Sequence, residues 1–201
     1  FDGDTLSSVS LEELQAVLDS GDTKFISIGR FSPEKGHKRL LEAFEQYWKV
    51  HPGTWMIIIG GNGELYEETL AYAGSLSAKE HIILIRSMRN PMPVLKKCDL
   101  FLLSSYYEGH PLVLMEADAL GVPVMACDVS GPRGFLTKYG GNLLENSAEG
   151  ILRGMELFAE GKVKSLRLDY RKMNRESVRR AEALIGELLN YTGNAGEERS
   201  E

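Results

Sequence analysis

Short apolar runs alternate with amphipathic segments along most of the chain. Six runs have the length and apolar character of buried strands, at residues 24–29, 54–59, 81–85, 99–103, 122–126 and 142–144. The segments between them have helical spacing, and in residues 37–50 one face collects Leu40, Leu41, Phe44, Tyr47 and Trp48. Because strand and helix alternate with short connections, we predict an α/β fold, a doubly wound parallel sheet of the Rossmann-like type.

Local sequence signals predict where several elements begin. Ser10 and Glu13 form a capping box that opens a short helix. Glycine and proline at residues 130–134 predict a loop. Asn146, followed by Glu149, predicts the N-cap of a later helix.

The length and composition fit one domain. The 201 residues are 43% hydrophobic and 26% charged, which is enough for a single core. We predict a domain over residues 1–192, with its core in 24–160, C-terminal helices in 163–191 and a polar tail at 193–201. The basic stretch near the C-terminus is interpreted as a solvated helix face. Since the chain begins at Phe1 without a methionine, we expect it to be a piece of a longer protein.

Charge and cysteine content exclude several classes of protein. A formal net charge of −6 argues against nucleic-acid binding. No apolar run approaches the roughly 18 residues that a membrane span needs. Cys98 and Cys127 flank apolar segments and are predicted to be free buried thiols, which suits a reducing, cytoplasmic location.

The stretch from Glu108 to Glu116 carries the most informative chemistry. Glu108 follows the strand at 99–103, and open α/β sheets bind ligands at the carboxyl ends of their strands. A helix is predicted to begin at Pro111, with Glu116 about five residues, or roughly 8 Å, into it. Two carboxylates beside a helix N-terminus suit a sugar, a phosphate and a ribose. The stretch therefore outlines a nucleotide-sugar site.

Other strand ends carry weaker signals. Arg30 and Lys35, after the first predicted strand, are suited to a diphosphate, although a solvent-exposed loop is an equal alternative. The turn at residues 60–63 is glycine-rich, but a structural role is favoured over phosphate binding. Asp2-Gly-Asp4 matches a metal-associated D-x-D pattern and is interpreted as incidental, and His110 alone among the histidines lies in the proposed site.

Taken in order, four motifs resemble the group 1 (family four) retaining glycosyltransferases. They are Gly-Arg-Phe-Ser-Pro-Glu-Lys-Gly, Gly-Gly-Asn-Gly, Asp-Leu-Phe-Leu-Leu-Ser-Ser-Tyr-Tyr-Glu-Gly and the Glu108-x7-Glu116 spacing. The resemblance covers roughly residues 24–146. It implies one half of a GT-B architecture, the C-terminal donor-binding domain, with an acceptor-binding N-terminal domain missing from this chain.

The resemblance also implies roles for individual residues. Arg30 and Lys35 would neutralise the diphosphate, and Glu108 would hydrogen-bond the donor sugar. Glu116 would hold the ribose. The remaining expected donor contacts are Gly29, Gly61, Ser87, Met88, His110, Leu112 and Val113, of which Ser87 and Met88 lie where the nucleobase packs in the family. No metal or other cofactor is expected.

Three positions depart from the family pattern. Gly-His-Pro follows Glu108 where Gly-Phe-Gly is common, so Pro111 removes one backbone donor near the sugar. Arg86 and Gly134 stand where the family often has a glycine and an acid, respectively. The first of these two changes bears on recognition of the base.

The resemblance favours transfer to a glycan or cell-surface polymer, by an enzyme that is cytoplasmic or peripheral at the inner face of the membrane. A sugar-nucleotide epimerase or phosphorylase of similar fold is one alternative. A non-catalytic nucleotide-binding or interaction module is another. Because the acceptor domain is missing, we expect the isolated chain to bind nucleotide without substantial turnover.

Overall fold

A computed structural model of the protein describes residues 6–61, 63–166 and 168–197. The chain forms two compact units, the first ending at Leu166 and the second following it. The Asp2-Gly-Asp4 pattern lies outside the described residues. In the second unit one helix, α8, runs over Tyr170–Glu197. It continues beyond the predicted helical end at residue 191, into the segment predicted as a polar tail.

The first unit is built on a seven-stranded sheet. Its order is β1-β4-β3-β2-β5-β6-β7, and β2 to β7 run parallel while β1 pairs antiparallel with β4. The predicted doubly wound parallel sheet is therefore confirmed, with a short antiparallel edge added. The strands are β1 (Leu6–Ser7), β2 (Thr23–Ile28), β3 (Thr54–Ile59), β4 (Ile82–Ser87), β5 (Leu100–Leu103), β6 (Val124–Cys127) and β7 (Asn142–Leu144).

Helices connect successive strands and cover both faces of the sheet. Short 3₁₀ turns at Pro33–Lys35 and Lys79–His81 precede α2 and β4. The α-helices of this unit are α1 (Leu11–Asp19), α2 (His37–Trp48), α3 (Tyr66–Ser75), α4 (Met92–Leu95), α5 (Leu112–Ala119), α6 (Ser130–Tyr139) and α7 (Ala148–Ala159).

Two apolar layers hold the helices to the sheet. Successive side chains of a strand point to opposite faces. Phe25 therefore belongs to the layer that contains residues of α2, α3 and α7, and Ile26 to the layer that contains residues of α1, α4, α5 and α6. Ile58 and Ile57 of β3 divide between the two layers in the same way. Because both faces of the sheet are covered by helices, the sequences of the strands are mostly continuous apolar runs.

The strand order places a topological switch point between β2 and β5. From β2 the chain proceeds outward through β3 and β4, and from β5 it proceeds in the other direction through β6 and β7. Ligands of open α/β sheets bind outside the carboxyl ends of the two strands that flank such a point. The loops after Ile28 and Leu103 therefore border the candidate site.

The starts of α6 and α7 differ from the predictions. Residues 130–134 are not a loop, because they form the first half of α6. Pro132 is the third residue of that helix, where the backbone N–H that proline lacks has no intrahelical acceptor. The N-cap of α7 is Ser147 instead of Asn146, and its hydroxyl accepts from the Gly150 N–H at 2.9 Å.

The two cysteines are free and buried, as predicted. Burial raises the pKa of the Cys98 thiol to about 12, so it remains protonated at neutral pH. Among the helices in the described parts of the chain, none combines the length and the apolar character that a membrane span requires.

Candidate active site

The loops after β2 and β5 are joined by three close contacts. The Ser104 hydroxyl donates to the Lys35 carbonyl at 2.8 Å, and the Tyr106 N–H donates to the Glu34 carbonyl at 2.7 Å. Between them Gly36 has a left-handed backbone, with φ of 64°, and a Cβ there would lie 2.4 Å from the Ser104 carbonyl oxygen. Only glycine fits this approach, which fixes the position of the preceding lysine.

Lys35 and Glu108 meet at the switch point. The Lys35 Nζ lies 2.6 Å from Glu108 Oε2, and the two side chains are only 18% and 14% exposed. Gly29 permits this path, since a Cβ on it would lie 3.2 Å from the Lys35 side chain. The Ser105 hydroxyl lies 3.5 Å from the same carboxylate oxygen. The structure therefore brings together two of the three residues predicted to be catalytic.

Arg39 holds the loop after β5 by hydrogen bonds to its backbone. The sequence analysis did not identify this residue. Its Nε and Nη2 donate to the Ser104 carbonyl at 2.9 and 2.6 Å, and Nη1 donates to the Asn146 carbonyl at 3.2 Å. The guanidinium also lies 3.7 Å from the centre of the Tyr106 ring. This buried cation lies between Lys38 and Leu40 in the sequence, where the apolar spacing of α2 gives no signal for it.

We expect Arg39→Ala to destabilise the protein by about 3 kcal/mol, because the buried Ser104 carbonyl and the Asn146 carbonyl lose charge-assisted hydrogen bonds. Lys38→Ala, which removes an exposed cation from the same turn, should change stability by less than about 0.5 kcal/mol. Urea unfolding of both variants measures the difference. Equal stability of the two variants would show that Arg39 does not hold the loop.

Arg30 is placed differently from Lys35. Its guanidinium pairs with Glu34 at 3.0 Å, one turn along the same loop, and its side chain is 67% exposed. The predicted cation pair thus divides into a largely buried lysine and a solvent-facing arginine. Exposed ion pairs contribute little to stability, so Arg30 can leave Glu34 for an incoming anion at small cost.

The glycine-rich turn after β3 accommodates a side chain of the protein itself. A Cβ on Gly60 would lie 2.3 Å from the Phe31 ring, and one on Gly63 would lie 2.2 Å from the Phe31 carbonyl oxygen. Gly63 also has φ of 143°. These contacts support the structural interpretation of this turn. Gly61 itself is open and forms a bridge with Ser87 at the end of β4.

The predicted base-binding stretch is only partly accessible. Met88 is 9% exposed and packs in one of the apolar layers, so its side chain is a core residue. Ser87 ends β4 beside Gly61. Arg86 reaches Glu67 of α3 at 3.4 Å.

The start of α5 differs from the prediction by one residue. Pro111 is the N-cap, and the Leu112 N–H donates to the His110 carbonyl at 2.9 Å. Leu112 therefore does not present a free amide to a ligand. Val113, the second helical residue, lies in the first turn, where amides lack intrahelical acceptors. The side chains of His110 and Glu116 are exposed.

The N-terminal turn of α6 packs directly against the loop that carries Glu108. The Gly131 N–H donates to the Glu108 carbonyl at 3.0 Å. A Cβ at this glycine would lie 2.3 Å from the same carbonyl oxygen and 2.5 Å from that of Gly109. The prediction of a loop at residues 130–134 hid this contact.

Within the described residues no group of three or more metal-ligating side chains is found. The cations and carboxylates of the crevice are instead distributed between two loops and one helix. Such an arrangement can neutralise a phosphorylated ligand and accept hydrogen bonds from its hydroxyl groups.

Comparison with known proteins identifies the family to which the chain is similar. The family model described as glycosyl transferases group 1 matches residues 12–177. An uncharacterized glycosyltransferase of Methanocaldococcus jannaschii is 32% identical over 132 residues, which is 65% of this chain and 32% of that protein. An Escherichia coli UDP-Gal:alpha-D-GlcNAc-diphosphoundecaprenol alpha-1,3-galactosyltransferase is 26% identical over 175 residues, or 78% of this chain and 45% of that one.

A solved glycosyltransferase structure has a similar fold. The apo form of the lipopolysaccharide outer core galactosyltransferase WaaB aligns with a TM-score of 0.61 and 25% identity, over 74% of this chain and 43% of that chain. This chain thus spans less than half the length of each of these relatives. The fold, the switch-point crevice and the family match agree with one another, and the chain belongs to the group 1 glycosyltransferases, as a Rossmann-like domain of GT-B type.

Proposed function

We propose that this chain is the donor-binding domain of a glycosyltransferase that takes a sugar from a nucleoside diphosphate and transfers it to a glycan or cell-surface polymer. The observation that carries the proposal is the Lys35–Glu108 pair, held at 2.6 Å at the switch point of the sheet. There a cation that would bind the diphosphate lies beside a carboxylate that would accept hydrogen bonds from the sugar hydroxyl groups.

Lys35 has enough hydrogen-bond donors to bind Glu108 and a diphosphate at the same time. An ammonium group carries three N–H donors, and Glu108 takes one of them. The other two are available for phosphate oxygens. Negative charge on the diphosphate grows as the glycosidic bond breaks, so Lys35 would stabilise the transition state more than the ground state.

Other residues complete the donor site. Arg30 would turn from Glu34 to the diphosphate, and Glu116 would accept hydrogen bonds from the ribose hydroxyl groups. The Val113 amide, at the positive end of α5, would face a phosphate or the ribose. Gly29 would lie under the diphosphate, and Gly61 and Ser87 would border the base. His110 would adjoin the sugar.

The proposed chemistry is transfer with retention and without a metal. The acceptor hydroxyl would attack from the face that the nucleoside diphosphate leaves, and the leaving phosphate would take the acceptor's proton. The bond from the anomeric carbon to the phosphate oxygen breaks as the bond to the acceptor oxygen forms. This route needs no nucleophilic side chain in the domain, which fits the residues of the crevice.

The relatives support the donor class and the kind of acceptor. One is named as a UDP-Gal-using transferase and another as a lipopolysaccharide galactosyltransferase. The acceptor site would belong to an N-terminal domain of the longer protein, at the cytoplasmic face of the membrane. Family membership favours transfer over the epimerase and the non-catalytic module as interpretations of this fold.

A calorimetric titration of the purified chain tests the proposal. UDP, GDP and CDP are titrated in turn, with uridine and inorganic pyrophosphate as controls. We expect one diphosphate to bind with a Kd between about 1 μM and 1 mM, or −8 to −4 kcal/mol, and more tightly than either control. If none of the three diphosphates binds, the proposal is contradicted. If the isolated chain transfers sugar to an acceptor, the expected need for a second domain is contradicted.

A further inference from the structure

The loop that carries both proposed cations is closed by the first residue of α2. It begins at Gly29, directly after β2, and turns back to reach His37, where α2 begins. The His37 Nε2 lies 3.1 Å from the carbonyl oxygen of Gly29 and 3.1 Å from that of Arg30. One side chain thus joins the beginning of the loop to its end. We call this junction of Gly29, Arg30 and His37 the neck of the loop.

A single hydrogen atom serves both contacts of the neck. A carbonyl oxygen accepts hydrogen bonds and never donates them, so Nε2 carries the proton and shares it between the two oxygens. Burial lowers the pKa of the His37 ring, which is therefore neutral at neutral pH. Nδ1 is also buried and has no hydrogen-bond partner among the described residues, which costs free energy. A phenylalanine would avoid that cost, so the contribution of a histidine at this position is the Nε2–H that the neck receives.

Contacts elsewhere in the loop do not depend on this hydrogen bond. Phe31 is fully buried, and its carbonyl accepts from the Leu65 N–H at 2.9 Å. The Lys35 carbonyl accepts from the Ser104 hydroxyl at 2.8 Å. These contacts hold the middle and the end of the loop to the domain. Loss of the His37 hydrogen bonds should therefore loosen the neck without unfolding the protein.

The neck determines how the loop meets an anion. A carbonyl oxygen carries partial negative charge, and one that is held by a donor cannot turn towards an incoming phosphate and repel it. The Arg30 side chain starts from the neck, and Lys35 passes Gly29 so closely that a Cβ on this glycine would lie 3.2 Å from the lysine side chain. A displaced neck would therefore move the two cations relative to each other.

The same helical turn orders the second loop of the crevice. Arg39, two residues after His37, donates two hydrogen bonds to the Ser104 carbonyl in the loop after β5. His37 and Arg39 are both buried, each with 5% of its surface exposed. The start of α2 thus holds both loops of the switch point from within the protein.

We propose that His37 is a positioning residue of the donor site, whose Nε2–H fixes the neck so that Arg30 and Lys35 bind the diphosphate together. The two cations contact the ligand, and His37 acts through the backbone that carries them. This inference rests on the proposed function, since it gives the loop after β2 its role towards a diphosphate.

Amide hydrogen exchange in the ligand-free chain measures the order of the neck. His37→Phe keeps an aromatic ring beside Phe31, whose ring centre lies 5.1 Å from that of His37, but removes the donor. The Gly29 amide donates to the Ile59 carbonyl at 2.9 Å, and we expect it to exchange at least about tenfold faster in this variant. His37→Gln places an amide donor near the same two carbonyls and should restore the wild-type rate. Equal rates in wild type and His37→Phe would overturn the inference.

Calorimetry with the nucleoside diphosphate provides the functional measurement. His37→Phe should weaken binding about tenfold, and His37→Gln should stay within about threefold of wild type. His37→Asn is polar but too short to place its amide at the position of Nε2, so it should behave like His37→Phe. The matched control is His51→Phe, which changes a histidine stacked on Tyr47 at the other end of α2 and should bind as wild type does. Wild-type affinity in His37→Phe, or an equal loss in His37→Gln, would overturn the inference.

The outcomes separate this inference from the proposed function. If no diphosphate binds to wild type, the proposed function falls, and hydrogen exchange still decides whether His37 fixes the neck. If a diphosphate binds equally to wild type and His37→Phe, only this inference falls. Circular dichroism verifies that each variant is folded. If His37→Phe does not fold, the comparison of His37→Gln with His37→Asn decides both measurements.

Discussion

Lys35→Met is expected to weaken nucleoside-diphosphate binding at least 100-fold. Two charge-assisted hydrogen bonds to phosphate oxygens, each contributing about 1.5–3 kcal/mol, are lost with the ammonium group. The Glu108 carboxylate is only 14% exposed and would remain without its cation, so it would also repel the ligand. Arg30→Ala should weaken binding less, because that side chain is 67% exposed and water screens its charge.

A second variant separates the two roles of the pair. Glu108→Gln keeps the shape of the side chain but removes the charge that now occupies Lys35. It should leave binding of the bare diphosphate unchanged or tighter, and weaken binding of the intact nucleoside-diphosphate sugar. Calorimetry with both ligands on both variants measures this. Unchanged binding of the intact nucleoside-diphosphate sugar by Glu108→Gln would show that the carboxylate does not act on the sugar.

The double variant provides the stability control. Removing one partner of a largely buried pair costs about 3 kcal/mol, because the other charge remains unpaired, while removing both costs much less. Lys35→Met with Glu108→Gln should therefore unfold nearer to wild type than Lys35→Met alone. If Lys35→Met alone is as stable as wild type, the pair contributes to function without contributing to stability.

Gly131→Ala is expected to lower the free energy of unfolding by about 3 kcal/mol, which for a domain of this size is a fall of roughly 9 °C in Tm. The added Cβ would lie 2.3 and 2.5 Å from the carbonyl oxygens of Glu108 and Gly109, and backbone cannot move aside as a flexible side chain can. The loop that carries Glu108 must then shift, so donor binding should fall as well.

Gly134→Ala is the matched control, since it lies in the same helix with no atom within 4 Å of an added Cβ among the described residues. Alanine is a better helix former than glycine, so this variant should be up to about 1 kcal/mol more stable. Thermal unfolding followed by circular dichroism compares the two. Similar Tm values for both variants would mean that the Gly131 contact does not constrain the loop.

Most of the fold could be predicted because it depends on local patterns. The runs at residues 54–59 and 142–144 were predicted with the ends that the structure shows, because glycines flank the first run and a glycine precedes the second. Ser10 and Glu13 likewise identify α1 by a capping box that needs only four consecutive residues. The two-residue strand β1 has no period to detect.

The site was predictable only where the chemistry is local in sequence. Lys35 and Glu108 were found because each follows a predicted strand, but their pairing depends on β2 and β5 being neighbours, which no local pattern encodes. Arg39 and Gly131 were missed for the same reason. Their partners, Ser104 and Glu108, lie on a loop that approaches them only in the folded chain.

The most direct test of the donor-binding claim is to map the bound diphosphate onto the structure. Amide resonances of the ¹⁵N-labelled chain are followed during titration with the nucleoside diphosphate that binds most tightly. We predict the largest shifts in residues 29–36 and 109–116, the loops at the switch point, and smaller ones near Gly61 and Ser87. Shifts confined to another part of the sheet, such as the edge at β7, would contradict the assignment of this crevice as the donor site.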